Sequence, residues 1–243
     1  MNTSEFRAAN CPPNIDVFRS MEPKEIDVIL AAARPYRFTA HTAITDQGDS
    51  SDHFLLMWKG RGRVFYVAPN GKKLILRWIN PGEIFGVEAL PHQPFRYLIS
   101  SEAVHDSVVL AWDGPTILAL GHRFPRLLEN VICVGVEYFS RRIAAHAALV
   151  SESAEERLAN LLLKLGPSLG EVVPDGIEID VTNQELADSV QISLYTTSRI
   201  MSEWQRIGAI RKQRGKILLR SPKKLFRRVI RSKAHKQKAA KSQ

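Results

Sequence analysis

Two stretches of this chain concentrate side chains suited to anions and base edges. The first holds Thr182, Ser193, Leu194, Tyr195, Thr196, Ser198 and Arg199, followed by Arg214 and Lys216. A guanidinium such as that of Arg199 fits guanine O6 and N7 in the major groove, and Leu194 or a Thr methyl fits a thymine methyl. The hydroxyls of Ser193, Tyr195 and Thr196 suit phosphate oxygens, as do the basic residues around Gln213-Arg214-Gly215. The second stretch is the C-terminal end. From Lys223 onward there are nine Lys or Arg and no acid, enough to account for the whole formal charge of +9. Such an end points to a polyanion, a solvated tail being the alternative.

Other chemistries find less support. Cys11 and Cys133 are the only cysteines of the 243 residues, too few for a disulfide framework and without metal-ligand spacing. His41, His53, His92 and His105 are scattered, which argues against a cupin-like metalloenzyme, so no catalytic or metal site is expected. No apolar run reaches the roughly 18 residues of a membrane span. The N-terminus lacks a basic segment followed by an apolar one, so the cytoplasm is the expected location.

The elements that must position the polar cluster are legible from patterning. Residues 1–33 form a helical segment in which Pro23 opens KEIDVILAAA. From Tyr36 to Trp112 short apolar runs (FLLMW, VFYVA, LILRWI, YLIS, VVLAW) alternate with Gly, Pro, Asn and Asp. Regular short strands of this kind predict a β-roll, jelly-roll or cupin-like, over residues 34–121. Asn70-Gly71 marks a hairpin within it.

Beyond Trp112 the pattern is helical as far as Leu165. A long central helix over 122–151 carries two apolar stripes. Leu127, Val131, Val134, Tyr138 and Ala145 are taken as the dimerisation face; Ile132, Val136, Phe139 and Ile143 make the second stripe. A helix apolar on two faces is buried twice, here against the β-roll and against a symmetry mate, unless it is the core helix of a monomer. Residues 151–153 are the expected hinge. Ser153-x-x-Glu156 caps the next helix, which Gly166-Pro167 is expected to end.

Within 152–222 the order is strand (Ile177, Ile179, Val181), capped helix after Thr182-x-x-Glu185, turn Gln191-Ile192-Ser193, second helix ending at Gly208, and strands AIRK and KILLR. Leu186, Ala187 and Val190 of the first helix and Thr197, Ile200, Met201 and Trp204 of the second are its packing residues. This order predicts a winged helix-turn-helix whose second helix enters a major groove; a wing used for protein contact is the alternative. The fold class is therefore α+β: β-roll, long central dimerisation helix, winged helix-turn-helix. In the basic tail, 223–243, Leu225, Val229 and Ile230 allow a short docked helix after Ser221-Pro222.

With these elements in place, the chain resembles the CRP/FNR transcription regulators. The resemblance runs from about Phe38 to Leu225. FLLMWKGRGRVFYVAPNGKKLILRWINPGEIFGVEAL carries it in the β-roll and TNQELADSVQISLYTTSRIMSEWQRIGAIRKQRGKILL in the second part. It implies a cyclic-nucleotide-binding-type β-roll, a homodimer on a roughly palindromic site, and contact with RNA polymerase at promoters.

Against that family pattern several positions depart. Phe85-Gly86 is present, but Val87 stands where the ribose-binding acid is expected and Glu88 falls one residue late. The phosphate-binding Arg-Ser pair falls at Tyr97-Leu98 beside Arg96, and the purine-binding Thr-Ser pair at Arg142-Ile143. Cyclic AMP is therefore not expected. Glu83, Gly86, Val87, Glu88, Arg96 and Tyr97 remain as lining for some other small effector, a filled β-roll without effector being the alternative. Cys11 alone cannot hold an iron–sulfur cluster, and His92 is the one residue considered for haem. In the recognition helix Ser193 and Arg199 fit the pattern, whereas Leu194 and Tyr195 replace charged base readers, so a different operator is expected. Gln191 occupies a turn position where glycine is usual, at a cost of up to ~1 kcal/mol if positive φ is required.

Overall fold

A computed structural model of the protein describes residues 6–12, 15–91, 95–213 and 215–225. Its contacts group the chain into two units, Met1–Arg141 and Arg142–Gln243, so the division falls inside one continuous helix rather than at 151–153.

In the first unit the strands β1 (Arg34–Phe38), β2 (Ala43–Thr45), β3 (His53–Lys59), β4 (Gly62–Val67), β5 (Lys73–Ile79), β6 (Ile84–Phe85), β7 (Ser100–Ala103) and β8 (Ser107–Asp113) form two antiparallel sheets. Their orders are β1-β8-β3-β6 and β2-β7-β4-β5. The runs FLLMW and VVLAW are uninterruptedly apolar because the first sheet is buried on both faces. Leu55, Met57, Val109 and Ala111 point to a core shared with Val64, Ile79 and Phe85. Phe54, Leu56, Trp58, Val108, Leu110 and Trp112 point the other way, into a second core.

The N-terminal segment closes that second core. Val17, Phe18 and Met21, with Ile29 and Leu30 of α1 (Pro23–Ala31), pack there with Ile117 and Leu120 of α2 (Gly114–Arg123). Two buried polar contacts hold the layer in register. Trp112 Nε1 donates to Ile29 O at 2.8 Å, and the Asn130 amide donates to Val17 O at 3.0 Å and Arg19 O at 2.9 Å. The described residues of the N-terminal segment, 6–12 and 15–33, thus belong to the β-roll unit. Asn70-Gly71 makes the β4–β5 hairpin, with Gly71 at φ 78°. Of the run YLIS only Ser100 is in a strand; Tyr97 and Leu98 precede β7.

The long helix α3 (Pro125–Ser151) corrects the assignment of its faces. Leu127 and Val131 are buried in the second core, and Val134 packs against it. Tyr138 lies under the Arg77 guanidinium, 5.6 Å from its ring centre. Of the five residues assigned to dimerisation, these four face their own chain or its edge, and only Ala145 is exposed. The other stripe is the open one: Ile132 and Phe139 are each 66% exposed, and Val136 and Ile143 are exposed beside them.

In the second unit, α4 (Ala154–Leu169) is followed by β9 (Gly170–Val173), β10 (Gly176–Asp180), α5 (Asn183–Val190), α6 (Leu194–Arg206), β11 (Ile210–Gln213) and β12 (Lys216–Leu219). The four strands form one sheet of order β11-β12-β10-β9. Helix α4 continues through Pro167 instead of stopping there. The clash that usually breaks a helix before proline involves the preceding Cβ, and Gly166 has none. The Ser168 hydroxyl also donates to Lys164 O at 2.9 Å, satisfying a carbonyl of the last turn. Beyond β12, Leu225 is fully buried and Lys224 Nζ donates to Ile207 O at 2.8 Å, so the start of the basic tail is docked. The tail's remaining residues, 226–243, lie outside the described residues. No described helix is long and apolar enough to cross a membrane.

Between α5 and α6, Gln191 has φ 55° and ψ 52°. A non-glycine residue in the left-handed region carries a steric cost of about 1 kcal/mol or more. The Gln191→Gly variant should stabilise this corner by about 1 kcal/mol, read as roughly fivefold slower amide exchange in α5 and α6. Unchanged or faster exchange would contradict the strain at this turn.

Candidate nucleic-acid interface

Helix α6 is held by its buried face. Thr197, Ile200, Met201 and Trp204 are buried, and opposite them Leu186, Ala187 and Val190 of α5 are buried too. Ala187 is fully buried, a small side chain where two helix backbones approach. Trp204 Nε1 donates to Glu155 Oε1 at 3.1 Å, tying α6 to the first turn of α4. Arg157 adds a second tie, its Nε donating to Val190 O at 3.2 Å at the end of α5.

Each helix of the unit starts on a side-chain cap. The hydroxyls of Ser153, Thr182 and Ser193 accept from the backbone N–H of Glu156, Glu185 and Thr196 respectively, at 3.2, 3.2 and 3.0 Å. In the first two, a glutamate carboxylate accepts from the cap residue's own N–H. A cap of this kind contributes about 1 kcal/mol, and three of them set the entry angle of every helix in the unit. The Thr182 and Ser193 hydroxyls are therefore occupied by scaffolding.

The remaining candidates fall into two groups. Ser193 Oγ and Thr196 Oγ1 share a hydrogen bond of 2.9 Å, and Ser198 Oγ accepts from Asn183 Nδ2 at 3.4 Å. Lys216 is engaged as well: its Nζ donates to Glu178 Oε1 at 2.5 Å across β12 and β10, a pairing that raises its pKa. Leu194, Tyr195 and Arg199 are different. All three are exposed, Tyr195 by 78%, and Arg199 makes no ion pair or hydrogen bond among the described residues. Arg214, at the wing tip, lies outside the described residues.

A further cation beside this face escaped the sequence reading. Lys212 of β11 donates through Nζ to Ser202 Oγ at 2.8 Å, which sets an ammonium against the exposed side of α6. Its backbone N–H also donates to Gln205 Oε1 at 3.2 Å. The signal was available: Lys212 follows Ile210 by two on a short strand, and the strand packs on α6. The face thus presents Leu194, Tyr195 and Arg199 flanked by Ser198, Ser202 and Lys212. It offers one free guanidinium fork, apolar surface and a basic edge, a combination that meets base edges and phosphates of a duplex.

The β-roll candidates do not assemble into a phosphate-and-ribose site. Glu83 Oε2 accepts from Arg77 Nη1 at 2.8 Å and from Asn80 N–H at 3.2 Å, and Arg77 Nη2 donates to Ile84 O at 2.6 Å. Gly86 is left-handed, and a Cβ there would lie 2.6 Å from His53 O. Val87 is exposed, and Glu88 meets Ser51 only through its carbonyl, which accepts at 3.0 Å. Arg96 donates to Gly48 O at 2.5 Å, outside the turn. Tyr97 is buried, which raises its pKa, and its hydroxyl lies within hydrogen-bonding distance of His53 N and O. Glu83, Arg77 and Arg96 are held by partners within the chain, so no guanidinium among these residues is left for the phosphate of a cyclic nucleotide, whereas the Glu88 carboxylate makes no hydrogen bond among the described residues. Arg77 was not foreseen; it joins Glu83 to Tyr138. His92, the residue weighed for haem, lies outside the described residues.

Comparison with known proteins matches the two parts of the chain to two domains. Residues 35–123 match the cyclic nucleotide-binding domain and residues 156–228 the Crp-like helix-turn-helix domain. The chain is 27% identical over 205 residues to the cyclic AMP receptor protein of Thermus thermophilus, covering 84% of this chain and 92% of that one. It is 29% identical over 178 residues to the transcriptional regulator LdrP, also of Thermus thermophilus, covering 72% and 86%. Among solved structures it is similar to a CRP/FNR-family transcriptional regulator of the same organism, with TM-score 0.66, 27% identity, and coverage of 81% and 98%.

If Arg199 reads a base, Arg199→Ala should weaken binding to a selected duplex about 10- to 100-fold, as loss of one bidentate base contact implies. Binding to random-sequence duplex should be nearly unchanged in the same gel-shift titration. Equal losses on both duplexes would contradict a base-reading role.

Proposed function

Because the chain belongs to the CRP/FNR family of transcription regulators, with a cyclic-nucleotide-binding-type domain followed by a helix-turn-helix DNA-binding domain, we propose that it regulates promoters as a homodimer on a two-fold-symmetric site. The observation that carries the DNA reading is Arg199, exposed and unpaired among the described residues, on a helix whose opposite face is buried. A recognition helix in the major groove contacts base edges through its N-terminal residues, and the exposed residues of α6 begin at its first turn. The docked base of the tail brings Lys223 and Lys224 to the same unit, and Arg227, Arg228 and Arg231 follow in sequence. Phosphate neutralisation by such residues supplies much of the affinity for any duplex. Contact with RNA polymerase is part of the same proposal, by likeness to the family.

Homodimerisation is supported by the open stripe of α3. Ile132, Val136, Phe139 and Ile143 are spaced four, three and four residues apart. This is the a/d spacing of a two-helix seam, and a symmetric pair is the simplest way to cover identical stripes. For the β-roll, the internal partners of Glu83, Arg96 and Tyr97 favour control by something other than cyclic AMP, or constitutive binding with no small effector.

The two stripes of α3 should separate in experiment. Phe139→Glu should leave the β-roll folded but yield monomers in sedimentation equilibrium, with binding to a symmetric site reduced more than tenfold. Leu127→Ala should instead cost about 2–5 kcal/mol of stability, as for other buried leucines, while the folded protein stays dimeric. A Phe139→Glu protein that remains dimeric would contradict this interface.

A further inference from the structure

The first turn of α6 is unusual for a reader of DNA because the hydroxyls of Ser193, Thr196 and Thr197 are already used and only that of Tyr195 points outward. Ser193 Oγ caps the helix by accepting from Thr196 N–H at 3.0 Å, and the Ser193 and Thr196 hydroxyls share a bond of 2.9 Å. Thr197 is buried, its hydroxyl donating to Ser193 O at 3.1 Å. What the turn leaves outward is Leu194, 45% exposed, and Tyr195, 78% exposed. The two adjacent side chains give this turn an outward apolar surface, the only contact it has to offer besides the Tyr195 hydroxyl. Here the partner is defined by the neighbouring charges: Arg199 is on the same face one helical turn on, and Lys212 lies beside it through Ser202.

In the major groove hydrogen-bonding groups of all four base pairs are polar, and the single apolar feature is the 5-methyl of thymine. We propose that Leu194 and Tyr195 read thymine methyl groups, so that each half-site places one or two thymines next to the guanine taken by Arg199. Tyr195 and Arg199 are four residues apart, about 6 Å along the helix axis. That separation matches about two base steps of 3.4 Å, which places the thymines within about two positions of the guanine. The base specificity of the first turn is therefore steric and hydrophobic, the Tyr195 hydroxyl being left to a phosphate. It discriminates thymine from cytosine by a methyl and not by a donor–acceptor pattern.

This inference rests on the DNA reading above, and its test keeps the two apart. A preferred duplex is first selected from random sequence with the full-length protein. Each thymine is then replaced singly by deoxyuridine, which removes only the methyl and keeps the base pair. Burial of one methyl implies about a fourfold loss of affinity. The expected result is such a loss at one or two thymines per half-site, near the guanine whose replacement mimics Arg199→Ala. Leu194→Ala and Tyr195→Ala should each abolish the uridine effect at the position that residue covers; both side chains are exposed, so the fold is retained. Uridine tolerated at every position on a duplex that still depends on Arg199 would overturn methyl reading and leave DNA reading intact. Selection that enriches no sequence would overturn both.

Discussion

A helix lying on one side of a sheet can bury only one of its faces within its own chain, and α3 carries apolar residues on two. The β-roll and its N-terminal layer take Leu127 and Val131. Ile132, Val136, Phe139 and Ile143 are left in water. Leaving such side chains exposed forgoes roughly 1.5–3 kcal/mol for each that could be fully buried, comparable in sum to the whole stability of a domain. Covering the stripe with an identical helix, as proposed above, would recover that energy and impose a two-fold axis. In the proposed dimer that axis would set two recognition helices against two half-sites of a symmetric operator.

The DNA-binding unit separates scaffold from readout at the level of single hydroxyls. Ser153, Thr182 and Ser193 spend their side chains on helix caps. Trp204 and Arg157 tie the helices to one another through polar ends. Lys216 is held by Glu178 and Ser198 by Asn183. Once these are assigned to structure, Leu194, Tyr195 and Arg199 are what remain on α6 to meet a ligand. The β-roll shows the same economy with a different outcome. The arginine in its turn region, Arg77, is consumed by Glu83, Ile84 O and the Tyr138 ring, which ties the turn to α3 and leaves no free guanidinium there.

Sequence patterning reached most of this because the decisive signals were local. Capping boxes, the Asn70-Gly71 hairpin and the packing residues of α5 and α6 are each contained within a few positions. The face of α3 was misjudged because both stripes have helical spacing. The choice between them depends on where residues 15–30 land, a contact spanning 113 residues at Asn130 and Val17. Pro167 misled for a related reason: part of its breaking effect is a clash with the Cβ of the preceding residue, which Gly166 lacks, and it falls in the last turn of α4. Lys216 was taken as a free phosphate contact because its partner, Glu178, is 38 residues away and is brought opposite only by sheet register. The β-roll candidates were named from family position, yet Glu83 is paired with Arg77 and Arg96 with Gly48 O by contacts that only the three-dimensional fold creates.

The central claim is that two recognition helices, held by one α3 seam, read two half-sites together. It is tested most directly by measuring affinity for duplexes in which two selected half-sites are moved apart one base pair at a time. A sharp maximum near one helical turn, about 10 base pairs centre to centre, with two protomers per duplex, is the expected result. A loss of more than tenfold should follow a shift of about half a turn, where the half-sites face opposite sides of the duplex. Affinity independent of spacing, with single protomers filling each half-site separately, would contradict it.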